Sequence, residues 1–587
     1  MLSPQLSELL TWGSDNGITW PNGLQFLERP EKGISAVATA KISHATLQVP
    51  KQALFSGELA ENYFNSDQNT NSLLKLLLAK LKFDPNSTSV NAEDLKSKFG
   101  PYIRALPKEI ASPLVWNPKE LDLLGNTNLR TSIAKKLESM FAEWKVAVGQ
   151  VAEIKQDVAL EIAQVEDILG QGEDQIYAKI TSKVFANSLQ LSWWSFPAFL
   201  WSSIVFLSRA FPEKVVNGLA DPSRIILLPV IDLLNHDYRS KVEWRQSNDS
   251  FCLEILEDIE EGCEIFNNYG GKGNEELLWG YGFVLEENIC DTVALKIKLP
   301  PATLHQISKE KSIRLPTLAD YTRSAFDLPS EIPKESEKLP LEEKFEDGIL
   351  YMLSATNNTC LLWLLDVFTF LEKSKTESLV NLRPRLQGLQ NLRAALEAKH
   401  SSYNAETVYS GAVEYPVSDY RAHAAQNYRS SQIKIIKSSI SQLKTLEKNW
   451  TSTYKHELLS VNKLMRLDPD FIETQLPILL QLEPGSDIAL DSYETLLYLW
   501  IIQNQDTKTI PKGLQWVIAQ YNQFIDAQGA DSGPISDHVR ILHQTIFVKD
   551  TQKEYLEKLQ KAQEFVMANS YIRYSKDEPI LVRSIDV

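Results

Sequence analysis

Strand-like alternation of apolar and polar residues occurs in two blocks of this chain, and a long helical stretch separates them. The first block contains GLQFLE from Gly23 and ISAVATA from Ile34, followed by ATLQVP, with the period of two that half-buried strands require. From about Gly57 apolar residues recur every three or four positions, the spacing of one helical face. Strand-like runs return only at Ile225. This order predicts a sheet domain with a helical insert at about 55–222.

The rest of the chain is predicted to be mainly helical. A short amphipathic helix is expected within residues 1–22, before a β-rich domain at 23–284. In the region 285–345, TVALKIKLP alternates as a closing strand and SEIPKESEKLP has the polar, Pro-rich composition of a linker. Helical periodicity with short turn clusters then predicts an α-helical domain at 346–587. The predicted fold class is α+β.

Charge and cysteine usage exclude several classes of function. The chain has 76 acidic and 60 basic residues and a formal net charge of -16, which opposes general affinity for a phosphate backbone. A basic protein partner is expected, and direct binding to nucleic acid is not. Three of the four cysteines, Cys252, Cys263 and Cys290, lack CxxC spacing, which indicates a reducing compartment, no disulfide framework and no metal site.

One apolar stretch, LQLSWWSFPAFLWSSIVF at Leu189 to Phe206, approaches the length of a membrane span. Several serines and Pro197 interrupt it, so a buried helix is predicted instead. The start MLSPQLSELL has no basic leader and carries Glu8 in its apolar run, which argues against a signal peptide. We therefore expect a cytoplasmic protein without membrane association.

Two islands about thirty residues apart carry the chemistry. In LLPVIDLLNHD, the pair Asn235-His236 follows an apolar strand-like run, and in EIFNNYGGKGNEELLWGYGF, Tyr269 lies in a Gly-rich turn before a helix. Together they resemble the core of SET-domain protein methyltransferases. The resemblance is to the type of the Rubisco large-subunit lysine methyltransferase and of fungal methyltransferases of ribosomal proteins and elongation factors. It implies a pseudoknotted SET domain, S-adenosyl-L-methionine as methyl donor and no metal.

The resemblance also implies which residues bind the donor. Arg209, in FLSRAFP, has the position of an arginine that pairs with the donor's carboxylate, a task suited to a planar guanidinium group. The N-terminal turn EKGISAVA matches a donor-binding turn that usually reads Gly-x-Gly, but Ser35 replaces the second glycine. The remaining donor-binding residues implied by the resemblance are Lys32, Gly33, Ile34, Asp232, Asn235 and His236.

Tyr269 is the predicted catalytic residue, and the resemblance places it beside the donor as well. Its hydroxyl would orient the lysine nitrogen and contribute to the electronegative surroundings of the transferring methyl group. The lysine channel is assigned to Trp244, Tyr281 and Phe283, because aromatic faces suit a lysine stem and its cationic methylated products. Trp244 stands where relatives often have tyrosine, and its size is predicted to limit the number of methyl groups added.

The predicted activity is methyl transfer to a protein lysine, by a chain expected to be a monomer. Two alternatives remain: an inactive SET-derived binding scaffold and a histidine-directed protein methyltransferase. A Rossmann-type methyltransferase is excluded because no Gly-rich loop with a following acidic residue occurs near the N-terminus. The substrate is expected in the translation machinery, either elongation factor 1-alpha or a large-subunit ribosomal protein, and the sequence does not separate the two.

Overall fold

The structure is a computed structural model of the 587-residue chain. It describes residues 2–29, 33–84, 90–151, 154–186, 191–247, 250–316, 345, 348–405, 407, 409, 411, 413–480, 493–507, 509–528, 534–546 and 553–587. The described chain divides into two compact units. The first contains the described residues up to Val293 and Ser402–Lys434, and the second contains those of Ala294–Pro316, Leu339–Ser401 and Ile435–Val587.

In the first unit, strands and helices alternate in blocks, as the sequence periodicity predicts. Its strands are β1 (Leu24–Arg29), β2 (Gly33–Ala38), β3 (Thr46–Pro50), β4 (Ala210–Pro212), β5 (Ile225–Leu227), β6 (Val242–Ser247), β7 (Ser250–Ile255) and β8 (Glu264–Ile265). Its helices are α1 (Pro4–Asp15), α2 (Gly57–Phe64), α3 (Thr70–Phe83), α4 (Val90–Ala105), α5 (Pro118–Asp122), α6 (Asn128–Gly149), α7 (Lys155–Leu169), α8 (Glu173–Lys179), α9 (Phe196–Arg209) and α10 (Asn274–Glu276). Single 3₁₀ turns occur at Lys51–Ala53, Pro113–Val115, Thr181–Lys183, Glu213–Val215 and Ile231–Leu233, and a π-helical turn follows α10 at Leu277–Tyr281.

The strands of the first unit form small antiparallel sheets. One has the order β1-β2-β8, with Leu24 opposite Ala38 and Ala36 opposite Ile265. Another has the order β3-β7-β6, and a third pairs β4 with β5. Helices α2 to α9 all lie between β3 and β4 in the chain. Strand β4 begins before Ile225, where strands were expected to return. It was not predicted because three residues are too few to show alternation.

Helix α9 explains the apolar stretch that resembles a membrane span. Ser195 caps its N-terminus by accepting a hydrogen bond from the Ala198 N–H, and Pro197 lies in the first turn, where a missing N–H costs nothing. Every residue from Phe196 to Phe206 is buried, as expected for a helix that is apolar on all sides. Its ring contacts include Phe141 on Phe196, with centroids 5.4 Å apart. Across the described ranges, no helix is long and apolar enough to cross a membrane.

The second unit is helical but also contains strands. Its elements are β9 (Val293–Ile297), α11 (Pro301–Lys309), β10 (Ile349–Leu353), α12 (Thr359–Glu372), α13 (Leu382–Asn404), α14 (Asp419–Thr453, whose first turns belong to the first unit), β11 (Leu458–Leu459), α15 (Val461–Leu467), a π-helical turn (Phe471–Gln475), α16 (Leu476–Leu479), α17 (Tyr493–Asn504), α18 (Gln515–Gln528), α19 (Asp537–Ile546), α20 (Lys553–Asn569), β12 (Ser570–Arg573) and β13 (Glu578–Val582). Its core includes Trp500, whose indole N–H donates to Asp468 Oδ2 at 2.8 Å.

The strands of the second unit correct the expectation of a purely helical C-terminal region. A sheet of order β11-β13-β12 forms near the C-terminus, and β9 pairs with β10. Strand β9 matches the predicted strand TVALKIKLP, but it pairs with residues beyond the linker and not with the first unit's sheets. Strands β10 to β13, of two to five residues, were not recognised beside the long helices of this unit.

The two sequence islands meet through the backbone. His236 and Asn267 form a parallel bridge. The Asn267 N–H donates to Asn235 O at 2.8 Å, and the Asp237 N–H donates to Asn267 O at 3.1 Å. These bonds fix the loop after β5 against the segment that leads to Tyr269.

Candidate active site

A cavity of about 1290 Å³ lies in the first unit and brings most of the predicted site residues together. Its volume is sufficient for a large ligand and the side chain of a second molecule. Lys32, a predicted donor-binding residue, lies outside the described residues. The predicted residues that line the cavity are Gly33, Ile34, Arg209, Asp232, Asn235, His236, Tyr269, Tyr281 and Phe283.

Arg209, the last residue of α9, is held by Asp232. Its Nη1 donates to the backbone oxygen of Asp232 at 3.0 Å and to Oδ2 at 3.1 Å. The hydroxyl of Tyr102, on α4, donates to the same Oδ2 at 2.8 Å. Asp232 Oδ1 is buried and has no hydrogen-bond partner among the described residues. The cavity wall therefore contains a guanidinium group that a buried carboxylate holds in a fixed position.

Burial and charge act in opposite directions on this pair. Burial raises the pKa of Asp232, while Arg209 and Tyr102 lower it. Burial alone would lower the pKa of Arg209, but the attraction of the Asp232 carboxylate raises it. Burial, followed by the Asp232 charge, raises the pKa of Tyr102 well above its usual range, so Tyr102 stays protonated and donates its hydrogen to Asp232.

Asn235 joins the N-terminal strands to the loop after β5. Its Nδ2 donates to Ile34 O at 3.0 Å and to Glu264 Oε1 at 2.7 Å, and it lies 3.4 Å from Ser35 Oγ. Ser35 is fully buried, and its hydroxyl lies beside this amide. The serine that replaces the family's usual glycine therefore lies inside the protein, next to a predicted donor-binding residue.

His236, Tyr269 and Tyr281 form a stack of three rings. The centroids of His236 and Tyr269 are 4.9 Å apart, and those of Tyr269 and Tyr281 are 5.1 Å apart, with interplanar angles of 15° and 20°. His236 Nδ1 accepts the Tyr269 N–H at 3.0 Å. Burial lowers the pKa of His236 to about 4, so the ring is neutral at physiological pH and carries its proton on Nε2.

The Tyr269 hydroxyl is a protonated group in a fixed position. It donates to Leu234 O at 2.6 Å. Burial, and then the neighbouring Tyr281, raise its pKa well above the usual range. Since the hydrogen is bonded to a backbone oxygen, the lone pairs of the phenolic oxygen remain available to an incoming group. Tyr269 is therefore suited to orient a nitrogen or a methyl group, and it is unsuited to act as a base.

Tyr281 and Phe283 flank a glycine with a left-handed backbone. Gly282 has φ +79°, and an added Cβ would lie 2.8 Å from the backbone nitrogen of Ala111. A side chain at this position would therefore clash with the loop that follows α4. The rings of Tyr281 and Phe283 lie 6.2 Å apart, edge to face. Both rings line the cavity, because the left-handed backbone at Gly282 lets the chain turn between them.

The structure does not bring Trp244 to the cavity, since this residue is absent from the described lining. Its indole N–H donates to Asn267 Oδ1 at 2.9 Å, and its ring packs on Phe211 at 4.8 Å. This placement gives no support to the prediction that the size of Trp244 limits the number of methyl groups added.

The cavity contains residues that sequence reasoning missed. Tyr102 contacts Asp232 from α4, and Tyr420 and Arg421, from the first turn of α14, also line the cavity. No local motif marks these residues. They are far from both islands in the chain and reach the site only through tertiary folding.

Comparison with known proteins identifies relatives of this chain. Ribosomal lysine N-methyltransferase 1 of Saccharomyces cerevisiae is 40% identical over 592 residues, which cover 99% of this chain and 100% of the relative. Protein-lysine N-methyltransferase EFM1 of the same yeast is 25% identical over 532 residues, covering 87% of this chain and 85% of the relative. The family model of the EFM1 middle domain matches residues 322–454.

Among solved structures, Rubisco LSMT bound to AdoMet matches with a TM-score of 0.51 and 16% identity, covering 77% of this chain and 94% of that chain. The SET domain of LSMT bound to MeLysine and AdoHcy matches with the same values. These structures show the fold. With the full-length similarity to the yeast enzyme, they show that the chain belongs to the SET-domain protein-lysine N-methyltransferases of the Rubisco large-subunit methyltransferase type.

Proposed function

We propose that this protein transfers a methyl group from S-adenosyl-L-methionine to the side-chain nitrogen of a lysine in a ribosomal protein. The observation that carries the proposal is that the Arg209–Asp232 pair and the ring stack around Tyr269 line the same cavity. One part offers groups for a charged small molecule, and the other offers aromatic faces and a fixed hydroxyl for an amine.

The residues present fit the methyl donor. Arg209 uses Nη1 for Asp232, and the rest of its planar fork would bind a carboxylate. The buried Asp232 carboxylate would hold Arg209 in place for this task. Gly33, Ile34, Asn235 and His236 would complete the donor site along the backbone. When bound, the donor supplies an electrophilic methyl group on a positively charged sulfur.

The acceptor lysine must be uncharged to attack a methyl group, and the site favours that state. A buried cavity with nearby positive charge lowers the pKa of an ammonium group. Tyr269 is not the base, because its raised pKa keeps it protonated. Its oxygen, held by Leu234, would orient the lysine nitrogen, and Tyr281 and Phe283 would enclose the stem of the side chain.

The choice of substrate follows the full-length relative. The yeast protein with 40% identity is named as a ribosomal lysine methyltransferase, whereas the relative named protein-lysine N-methyltransferase EFM1 is 25% identical. The net charge of -16 suits a basic ribosomal protein. Elongation factor 1-alpha remains the alternative substrate.

Several further predictions belong to this proposal. They are a pseudoknotted crossing at the His236–Asn267 bridge, a helical insert at about 55–222, and substrate recognition by residues 346–587. The others are a monomeric state, a cytoplasmic location and catalysis without a metal.

The experiment uses an extract from cells that lack the gene for this protein. The purified protein is incubated with the extract and labelled donor, and the labelled band is identified by mass spectrometry. We expect methyllysine in a large-subunit ribosomal protein. Label in elongation factor 1-alpha would change the substrate, and methylhistidine would change the acceptor class. No labelled protein in an extract shown to be unmethylated would indicate the inactive scaffold.

A further inference from the structure

Tyr420 occupies an unusual place in the cavity wall. It belongs to the first turn of α14, far along the chain from the SET motifs, and it lines the cavity. Its hydroxyl donates to Gly282 O at 3.0 Å, between the two aromatic residues assigned to the lysine channel. The residue nevertheless remains 51% exposed. An aromatic side chain that is anchored at its hydroxyl and half-exposed beside the cavity is available to a ligand.

The anchor of Tyr420 is rigid on the Gly282 side. The left-handed backbone and the close approach of Ala111 leave this glycine little room to move. The carbonyl that accepts the tyrosine hydroxyl is therefore fixed relative to the ring stack.

The first turn of α14 is also fixed, through α5. The Ser418 N–H donates to Glu120 Oε1 at 3.0 Å, and Arg421 Nη1 donates to Glu120 Oε2 at 2.7 Å. Asn117 Nδ2 donates to Pro416 O at 2.8 Å. Asn117 and Glu120 form the capping box that begins α5, so these contacts start from a stable local structure. The position of Tyr420 is set before any substrate binds.

The charges near Tyr420 favour a basic occupant. The positive charge of Arg421 is shared between Glu120 and Glu109, whose Oε1 lies 2.5 Å from Arg421 Nη2. Glu286 and Glu287 also line the cavity, and the Glu286 side chain is 76% exposed. The Arg421 charge is neutralised, and the exposed Glu286 carboxylate, whose Oε1 lies 3.9 Å from His423 Nε2, adds negative charge on this side.

We infer that Tyr420 is a specificity-determining residue, whose ring packs against an extended basic segment of the substrate protein next to the target lysine. This inference rests on the proposed function and names a part of its substrate site outside the SET motifs. Aromatic residues suit such a role, because they offer a large apolar area at a low cost in side-chain entropy.

The test compares Tyr420→Ala and Tyr420→Phe with the wild-type enzyme, using the ribosomal protein identified above. We expect Tyr420→Ala to raise the Michaelis constant for this protein by about fivefold or more, as for the loss of an interface contact of moderate energy. The Michaelis constant for S-adenosyl-L-methionine should change by less than about twofold, because the hydroxyl of Tyr420 binds Gly282, next to the proposed lysine channel. Tyr420→Phe keeps the ring and should restore most of the affinity for the protein.

Tyr63→Ala is the matched control, since Tyr63 is a partly exposed tyrosine on α2 that does not line the cavity. It should leave both Michaelis constants unchanged. Circular dichroism checks the fold of each variant, and if Tyr420→Ala is unfolded, Tyr420→Leu takes its place. Equal rises in both Michaelis constants, or an unchanged constant for the protein, would overturn the role of Tyr420 alone. A wild-type protein that neither methylates nor binds the ribosomal protein would overturn both proposals.

Discussion

Replacing Tyr102 with phenylalanine removes one hydroxyl from the site of Asp232 and leaves the aromatic ring in place. Tyr102 is 1% exposed and Asp232 is 8% exposed. The hydroxyl donates to Asp232 Oδ2 at 2.8 Å, and Arg209 Nη1 lies 3.1 Å from the same oxygen. After the change, Arg209 is the remaining side-chain partner of a buried carboxylate among the described residues.

The magnitude follows from the burial of both groups. A hydrogen bond to a charged group contributes about 1.5–3 kcal/mol to stability, and a buried acceptor that loses its donor cannot recover the bond from bulk water. We expect the free energy of unfolding to fall by about 2 kcal/mol. Because Asp232 also orients Arg209, the affinity for S-adenosyl-L-methionine should fall by about threefold or more, as when the support of a binding residue is loosened.

Urea unfolding followed by circular dichroism measures the stability, and isothermal titration calorimetry measures donor binding. Tyr63→Phe is the control, because it removes a hydroxyl from a partly exposed tyrosine outside the cavity lining. If Tyr102→Phe matched the wild type in both stability and affinity, the hydrogen bond to Asp232 would not support the donor site, and the reasoning would be refuted.

Substitutions at three further residues test the remaining parts of the site. Tyr269→Phe should lower the rate of methyl transfer by about tenfold or more while the fold is kept, because it removes the oriented oxygen. An unchanged rate in a single-turnover assay would show that Tyr269 has no catalytic role. Arg209→Lys should raise the Michaelis constant for the donor with a modest loss of stability. Arg209→Ala should also lower the free energy of unfolding, measured in urea, by about 3–5 kcal/mol, because it leaves the Asp232 carboxylate buried without its positively charged partner. The pKa of His236 is about 4 in the folded protein and about 6.5 in the unfolded chain. Between these two pH values the unfolded chain binds a proton that the folded protein does not, so the protein becomes less stable as the pH falls from 6.5 to 4. His236→Asn should therefore change in stability relative to the wild type by about 3 kcal/mol between pH 6.5 and pH 4, and a constant difference would contradict the buried, neutral ring.

The longer helices and strands of the first unit were largely predictable, because they are long enough to show their period. Strands β1 to β3 follow the alternation seen in the sequence, and α9 begins at the Ser195 cap and the proline that follows. The short strands β11 to β13 were not predictable, since they are recognised only by their partners. The pairing of β9 with β10 likewise depends on contacts across a distant segment.

The sequence by itself determined the family and predicted most of the proposed site residues that line the cavity, because these residues are concentrated in short motifs such as Asn235-His236 and the turn at Tyr269. Only the tertiary structure decided how these residues are held. It placed Tyr102 on Asp232 and Tyr420 on Gly282, and it placed Trp244 on Phe211 outside the cavity lining. The physical reason is that a motif specifies local backbone and side-chain chemistry, whereas a buried hydrogen bond between distant residues depends on the packing of the whole unit.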